Sequence, residues 1–261
     1  MSKKLGKLFM FGVGDAGSQL VRKLDEYIVR YEKLNHVKHG SNFYKPSGLD
    51  SCNRDLYYMR SSVIGKEELT SANIGICDTG SHRHCVIQNT LENMSKENYT
   101  DFRWIDPETY IQDNSIYEKY KTKVVEKVGH ETKLFNEKYQ ISFMADGIIE
   151  FMGKIYILEI KTTASFIFSK LAEARPEHKM QATCYSMCLG IDDILFVYED
   201  RWVLSHKGFH YKVLDSDKLV VANKIADCEE YLNNKELPEK EKDKCKYCSY
   251  KQQCRNNYNP R

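Results

Sequence analysis

Residues 144–163 read MADGIIEFMGKIYILEIKTT. Two short apolar, β-branched runs flank Met152-Gly153, so the segment reads as a β-hairpin that turns at that pair. Asp146 stands near the start of the first strand and Glu159-Ile160-Lys161 at the end of the second. Residues two apart project from one strand face, which sets Glu159 beside Lys161. Across the turn, Asp146 falls almost opposite Glu159. Ile148, Ile149, Phe151, Ile155, Ile157, Leu158 and Ile160 make the hairpin largely buried. Charges at the end of such a buried sheet need partners or a metal.

Strand-like runs begin upstream at Lys121, with TKVVEKV and KYQISFM, and two more follow the hairpin as DILFVYE and FHYKVL. Helical spacing predicts helices over 15–34, 51–61, 79–95, 164–172, 176–189 and 216–233. In the helix over 79–95, Cys85, Ile87 and Leu91 are expected among the apolar positions. Residues 97–120 mix charges and aromatics without a clean period and carry no assignment. The order of elements predicts an α/β fold with a mixed central β-sheet flanked by helices. Three regions are expected: an N-terminal helical extension over 1–46, a core over 47–240, and a cysteine-rich segment over 241–261.

A chain of 261 residues with 41% apolar and 12% aromatic residues is long enough for one large domain with additions. Its formal net charge of +2 means that any field attracting a polyanion must be local. No run of about 18 apolar residues is present, so no membrane span is expected. The start, MSKKLGKLFMFGVGDAG, lacks the apolar core and cleavage site of a secretory signal. A cytoplasmic location is expected, and the nine cysteines then read as thiols or metal ligands rather than disulfides. Gly12-Val-Gly-Asp-Ala-Gly17 matches a dinucleotide-binding pattern, but no acidic-ended parallel strand follows at the required distance, so it reads as a loop opening a helix.

Two carboxylates converging from adjacent strands form a hard-oxygen site suited to Mg²⁺ or Mn²⁺. Such an ion polarises a phosphodiester, and Lys161 on the same face is placed to orient water or neutralise developing charge. A strand with one Glu and one Lys on a face is also ordinary, so the pattern gains its meaning from its neighbours.

Asp146 with Glu159-x-Lys161 resembles the PD-(D/E)XK nuclease motif, and the chain looks like the RecB-type branch of that family. Gly80-Ser-His-Arg-His84 resembles the helix that supplies a histidine metal ligand there, and Gln181-Ala-Thr-Cys-Tyr185 resembles the Q-x-x-x-Y motif that follows the hairpin. The resemblance implies a restriction-endonuclease-like core. It assigns catalysis to Asp146, Glu159 and Lys161, and divalent metal binding to His84, Asp146 and Glu159. Gln181 and Tyr185, which share a helix face as i and i+4, are implied to contact DNA. The implied activity is hydrolysis of DNA, favouring an exonuclease on single-stranded ends in recombination, repair or CRISPR adaptation, with a helicase or an adaptation protein as partner. A structure-specific or nicking endonuclease, and a non-catalytic metal-stapled DNA-binding protein, are the rival readings.

The tail reads Cys245-Lys-Tyr-Cys248-Ser-Tyr-Lys-Gln-Gln-Cys254, a ligand-type spacing that needs a fourth cysteine, for which Cys52 is the candidate. One early and three terminal cysteines resemble the iron–sulfur members of the RecB-like group, including AddB-type nuclease domains and CRISPR-associated iron–sulfur exonucleases. The resemblance implies a [4Fe–4S] cluster that joins tail to N-terminal helix, and Zn²⁺ remains the alternative at the same four cysteines. Cys77, Cys85, Cys184, Cys188 and Cys228 read as core or incidental thiols. Lys240, Lys242, Lys244, Lys246, Lys251 and Arg255, interleaved with Tyr247 and Tyr250, suggest a basic patch tracking a phosphate backbone with tyrosines stacked on unpaired bases.

Overall fold

The computed structural model describes residues 16–35, 42–65, 70–99, 101–128, 131–241, 244–245 and 248–260. The Gly12–Asp15 part of the glycine motif, and Lys242, Lys246 and Tyr247 of the tail, lie outside the described residues. Among those described, residues of 1–38 and 68–78 form one compact unit, and residues of 39–67 and 79–261 a second. The first unit contains helix α1 (Ala16–Asn35), on which Leu20, Leu24, Tyr27, Tyr31 and Leu34 are exposed.

The second unit is built on a five-stranded sheet ordered β1-β5-β6-β7-β8: β1 (Phe102–Ile105), β5 (Gly147–Phe151), β6 (Lys154–Thr163), β7 (Asp193–Asp200) and β8 (His206–Lys212). Only β6 and β7 run parallel, so the sheet is mixed, as expected, and helices flank it in the manner of a restriction-endonuclease-like core. The hairpin turns where the sequence placed it. Phe151 pairs with Lys154, and the two residues between them, Met152 and Gly153, have φ of 51° and 73°. A two-residue connection with both φ values positive matches the right-handed twist of its strands. A smaller antiparallel meander, β2 (Thr122–Val128), β3 (Glu131–Asn136) and β4 (Ile141–Met144), stands beside it.

Strand alternation sorts the hairpin's side chains onto two faces. Ile148, Ile157, Ile194, Phe196 and Tyr198 belong to the larger core, which includes Ala182, Tyr185 and Leu189 of helix α7 (Pro176–Leu189). Ile149, Leu158 and Ile160 form a second core with Ile87 of helix α3 (Ser71–Lys96). Each such aliphatic side chain removed from water contributes about 1.5–3 kcal/mol, so the hairpin is anchored from both sides. Glu159 and Lys161 share the α7 face with Ile157.

The expectations need several corrections. Helix α3 starts at Ser71 rather than at residue 79, and Cys85 is exposed rather than apolar-facing, while Ile87 is buried and Leu91 half-buried. Residues 97–120 resolve into β1 and the helices α4 (Pro107–Asp113) and α5 (Ile116–Tyr120). Asp106 caps α4 by accepting from Glu108 and Thr109 backbone amides, with Pro107 at the first helical position. Helix α6 covers only Ser165–Phe168, and β8 begins at His206, ahead of the apolar run that suggested it. Helices α2 (Asn53–Arg60) and α8 (Asp215–Asn234) stand close to where helical spacing placed them, and the tail adds a short helix, α9 (Lys251–Arg255). No helix among the described residues is long and apolar enough to cross a membrane.

Candidate metal and catalytic site

Gly147 pairs with Leu158, which leaves Asp146 opposite Glu159 at the mouth of the hairpin. Gly147 itself is required by packing: a Cβ there would lie 2.6 Å from the Trp104 ring. Asp146 is buried, and its Oδ2 accepts the Ile160 backbone N–H at 2.6 Å, while Gln88 Nε2 donates to its carbonyl at 2.8 Å. Both bonds hold Asp146 from either side, which turns its Oδ1 toward His84 Nδ1 at 3.4 Å.

Helix α3 brings His84 there. Gly80, one turn earlier, lies against β6: a Cβ on it would stand 3.4 Å from Thr162 Oγ1, an ordinary contact. Thr162 is the register partner of Glu199, and Arg83 grips that fully buried carboxylate with two bonds of 2.7 and 2.6 Å. The helix is thus seated on adjacent strand positions, and His84 follows Arg83 in the chain. His82 is exposed.

His84, Asp146 and Glu131, the first residue of β3, place one ligand atom each within 4.8 Å of one another. Glu131 carries no local pattern that singles it out in the sequence; its signal is only its place at the start of a strand in a meander that abuts the hairpin. Burial and the charge of Asp146 push the Glu131 carboxyl up, against the opposing pull of His84 and Gln88. Glu159 stands outside that trio of close ligand atoms.

Glu159 is buried on the α7 side. Its Oε1 receives the Lys161 ammonium at 2.5 Å and Gln181 Nε2 at 2.8 Å, whereas Oε2 is shut from solvent with no hydrogen-bond partner among the described residues. Burial first, and then the charge of Asp146, push its carboxyl up to about 8 despite Lys161. Lys161 Nζ also donates to Gln181 Oε1 at 3.1 Å, so Gln181 bridges the acid and the base. Gln181 Nε2 further reaches Tyr185 OH at 2.6 Å, and Tyr185 stacks on Phe143 with centroids 5.3 Å apart. Both Gln181 and Tyr185 are buried, and Gln181 bonds Glu159, Lys161 and Tyr185. His178, one turn before Gln181, bonds Tyr198 OH through Nδ1 at 2.6 Å; burial and the nearby Lys161 hold it neutral, down to about 3.

Compared with known proteins, the chain matches no family model and no curated sequence. Among solved structures it is similar to the protein SSO0001, at 17% identity over 86% of this chain and 93% of that one, with a TM-score of 0.45. It is also similar to an alkaline exonuclease, LHK-Exo, from Laribacter hongkongensis, at 14% identity over 75% of this chain and 94% of that one, with a TM-score of 0.36. The same exonuclease in complex with dAMP gives 15% identity and the same TM-score. Likeness at this level leaves the chemistry to be argued from the residues.

Cys52, Cys245, Cys248 and Cys254 all line one cavity of about 420 Å³, together with Arg54, Lys240, Lys244, Lys251 and Arg255. They are not arranged there as a ligand set. No three of their sulfurs lie within 4.8 Å of one another. The Cys248 thiol instead donates to Asp55 Oδ2 at 3.3 Å and Cys245 to the Glu241 carbonyl at 3.5 Å. Burial pushes the Cys248 thiol up to about 12. A single tetrahedral zinc, with Zn–S near 2.3 Å, needs its sulfurs about 3.8 Å apart. Tyr250 corrects another expectation: it is buried against Tyr58, with centroids 5.5 Å apart, and is not available to stack on a base.

Proposed function

We propose that this chain is a divalent-metal-dependent deoxyribonuclease that hydrolyses phosphodiester bonds, acting as an exonuclease on single-stranded ends. The observation that supports it above all is the buried, unpartnered Oε2 of Glu159 beside Asp146 and Glu131. Three carboxylates gathered near one another, with Lys161 bonded only to Glu159 among them, are electrostatically incomplete, and a hard divalent cation would complete them. His84, Glu131 and Asp146 would hold it, with Glu159 contributing from the neighbouring strand; the imidazole makes Mn²⁺ as acceptable as Mg²⁺. When bound, such an ion supplies Lewis-acid activation of the phosphodiester and of water. Lys161, held by Glu159 and Gln181, directs its ammonium at the attacking water and the charge gathering on the phosphoryl oxygens. Gln181 keeps acid and ammonium at a fixed separation, and Tyr185 fixes Gln181.

The test is end-labelled linear single-stranded DNA with Mg²⁺ or Mn²⁺ and with EDTA. Cleavage should require metal and fall at least about 100-fold in Asp146→Ala and in Lys161→Ala. Glu131→Gln should weaken Mn²⁺ binding by roughly ten-fold or more in calorimetry. Undiminished cleavage in both Asp146→Ala and Lys161→Ala removes the mechanism, and cutting of circular single strands points to an endonuclease.

A further inference from the structure

Beyond Lys161, strand β6 ends at Thr163, two residues and about 7 Å further on. The β7–β8 turn reaches it there: Arg201 N–H donates to the Thr163 carbonyl at 2.9 Å. That turn carries Trp202, Val203 and Leu204, and Trp202 is 82% exposed. Exposure of this kind in a loose loop would mean little, but this turn is built. Asp200 is buried and its Oδ1 accepts from Trp202 N at 2.8 Å, Val203 N at 3.3 Å and Ser165 Oγ at 2.7 Å. Leu204 N donates to the Asp200 carbonyl and Asp200 N to the Ser205 carbonyl, both at 2.9 Å.

The bond to Ser165 fastens the turn to α6, whose next residue, Phe166, is also exposed. Lys207 closes the other side by donating to the Phe168 and Leu171 carbonyls at 2.8 and 3.0 Å. A fixed frame therefore holds two aromatic side chains in water beside the strand that carries Lys161. Arg201 ties the turn to β6 through its backbone, and its side chain is half-buried, with Nε shut from solvent and without a hydrogen-bond acceptor among the described residues. Lys170 adds an exposed cation on the α6 side.

We propose that the β7–β8 turn and α6 form a platform for single-stranded DNA, on which Trp202 stacks an unpaired base, Phe166 extends the apolar surface, and Arg201 meets a phosphate of the same strand. This rests on the nuclease reading above, and it names the substrate as a strand with unstacked bases. Every base offers a π-face, so the platform is indifferent to sequence, and bases already stacked in a duplex cannot use it. The adjacent guanidinium and the direct backbone link to β6 favour a nucleic-acid strand over a protein partner.

The chain has two tryptophans, Trp104 and Trp202, and only Trp202 is largely exposed. Binding of an oligo-dT strand is therefore followed by tryptophan emission in EDTA, where no cleavage occurs. Single-stranded DNA should quench the wild-type emission, and Trp202→Phe should abolish the quench while keeping affinity within about two-fold. Trp202→Ala should weaken binding about ten-fold, and by much less for a blunt duplex. The remaining Trp104 emission, unchanged in Trp202→Ala, reports that the fold is intact. Wild-type affinity in Trp202→Ala, or equal losses for single strand and duplex, would overturn the platform even if metal-dependent cleavage stands. So would a Trp202-dependent self-association in sedimentation, which would make the turn a contact between copies. Absence of metal-dependent cleavage in the wild type would instead defeat the nuclease reading.

Discussion

Glu159 sets the pH behaviour expected of the metal-free protein. Burial and the neighbouring Asp146 raise its carboxyl from 4.5 to about 8. Between those values the folded chain keeps a proton that the unfolded chain has released. The contribution of Glu159 to stability is therefore greatest below about 4.5, and it is lost as pH rises toward 8. Melting temperature in EDTA should fall from pH 5 to pH 8, and Glu159→Gln should flatten most of that fall. Mg²⁺ or Mn²⁺ should stabilise increasingly over the same range, because binding has to displace the proton. A Glu159→Gln protein whose melting shows the wild-type pH slope would rule this out. Asp146, Glu159 and Lys161 were legible in the sequence because strand period and a two-residue turn fix their juxtaposition without tertiary knowledge. Glu131 was not, because its closeness to Asp146 depends on how the β2–β4 meander meets the hairpin, which no local pattern encodes.

Helix α3 carries His84, the proposed metal ligand, and Arg83 is the part that seats the helix beside it. The guanidinium forms a two-bond grip on Glu199, which is fully buried and also meets His206 Nε2 at 3.1 Å. Arg83→Ala leaves that carboxylate with the histidine alone and should cost about 2–4 kcal/mol. The shift should show as a lower melting temperature and as weaker Mn²⁺ binding, since His84 follows Arg83 on the helix. Arg83→Lys should recover only part of either, because an ammonium cannot reproduce the paired geometry. If metal affinity in Arg83→Ala is unchanged while stability drops, the helix does not owe its aim to this bond. At this scale α7 and the hairpin were legible: α7 has the limits its periodicity predicts, and the hairpin turns where Met152-Gly153 demands, whereas α3 starts eight residues before its expected start at 79. The short elements were not. Strand β1 and helices α4 and α5 lie in a stretch whose aromatics are placed by packing rather than by period, although Asp106-Pro107 already carried a helix-start signal.

Across the whole molecule, the C-terminal segment returns to α2, and hydrogen bonds hold it there independently of any metal. Arg54, buried, donates through Nε to the Pro238 carbonyl at 2.6 Å and through Nη1 to Asn257 Oδ1 at 3.1 Å. Tyr57 OH donates to Asn259 Oδ1 and Tyr58 OH to the Tyr258 carbonyl, each at 2.9 Å. The cysteine pattern pointed to this closure, but it identified the thiols as the staple, because bonds from Arg54, Tyr57 and Tyr58 to residues some 200 positions away leave no local pattern. The hydrogen bonds and the thiol contacts separate by mutation. Arg54→Ala removes two bonds from a charged donor, roughly 3 kcal/mol together, which in a chain of this size is a melting shift of about 6–12 °C. It should also open the tail to trypsin at Lys240 and Lys251, whatever the state of the cysteines. Cys248→Ala in metal-free protein removes two weak sulfur contacts, the thiol to Asp55 and the Tyr250 N–H to Sγ, so its melting should stay within a few degrees of wild type while any metal binding at the thiols is lost. If Cys248→Ala destabilised the metal-free chain as much as Arg54→Ala, the thiol contacts would be the structural closure and the hydrogen bonds secondary. The two substitutions therefore rank the two closures, and they do so without reference to catalysis.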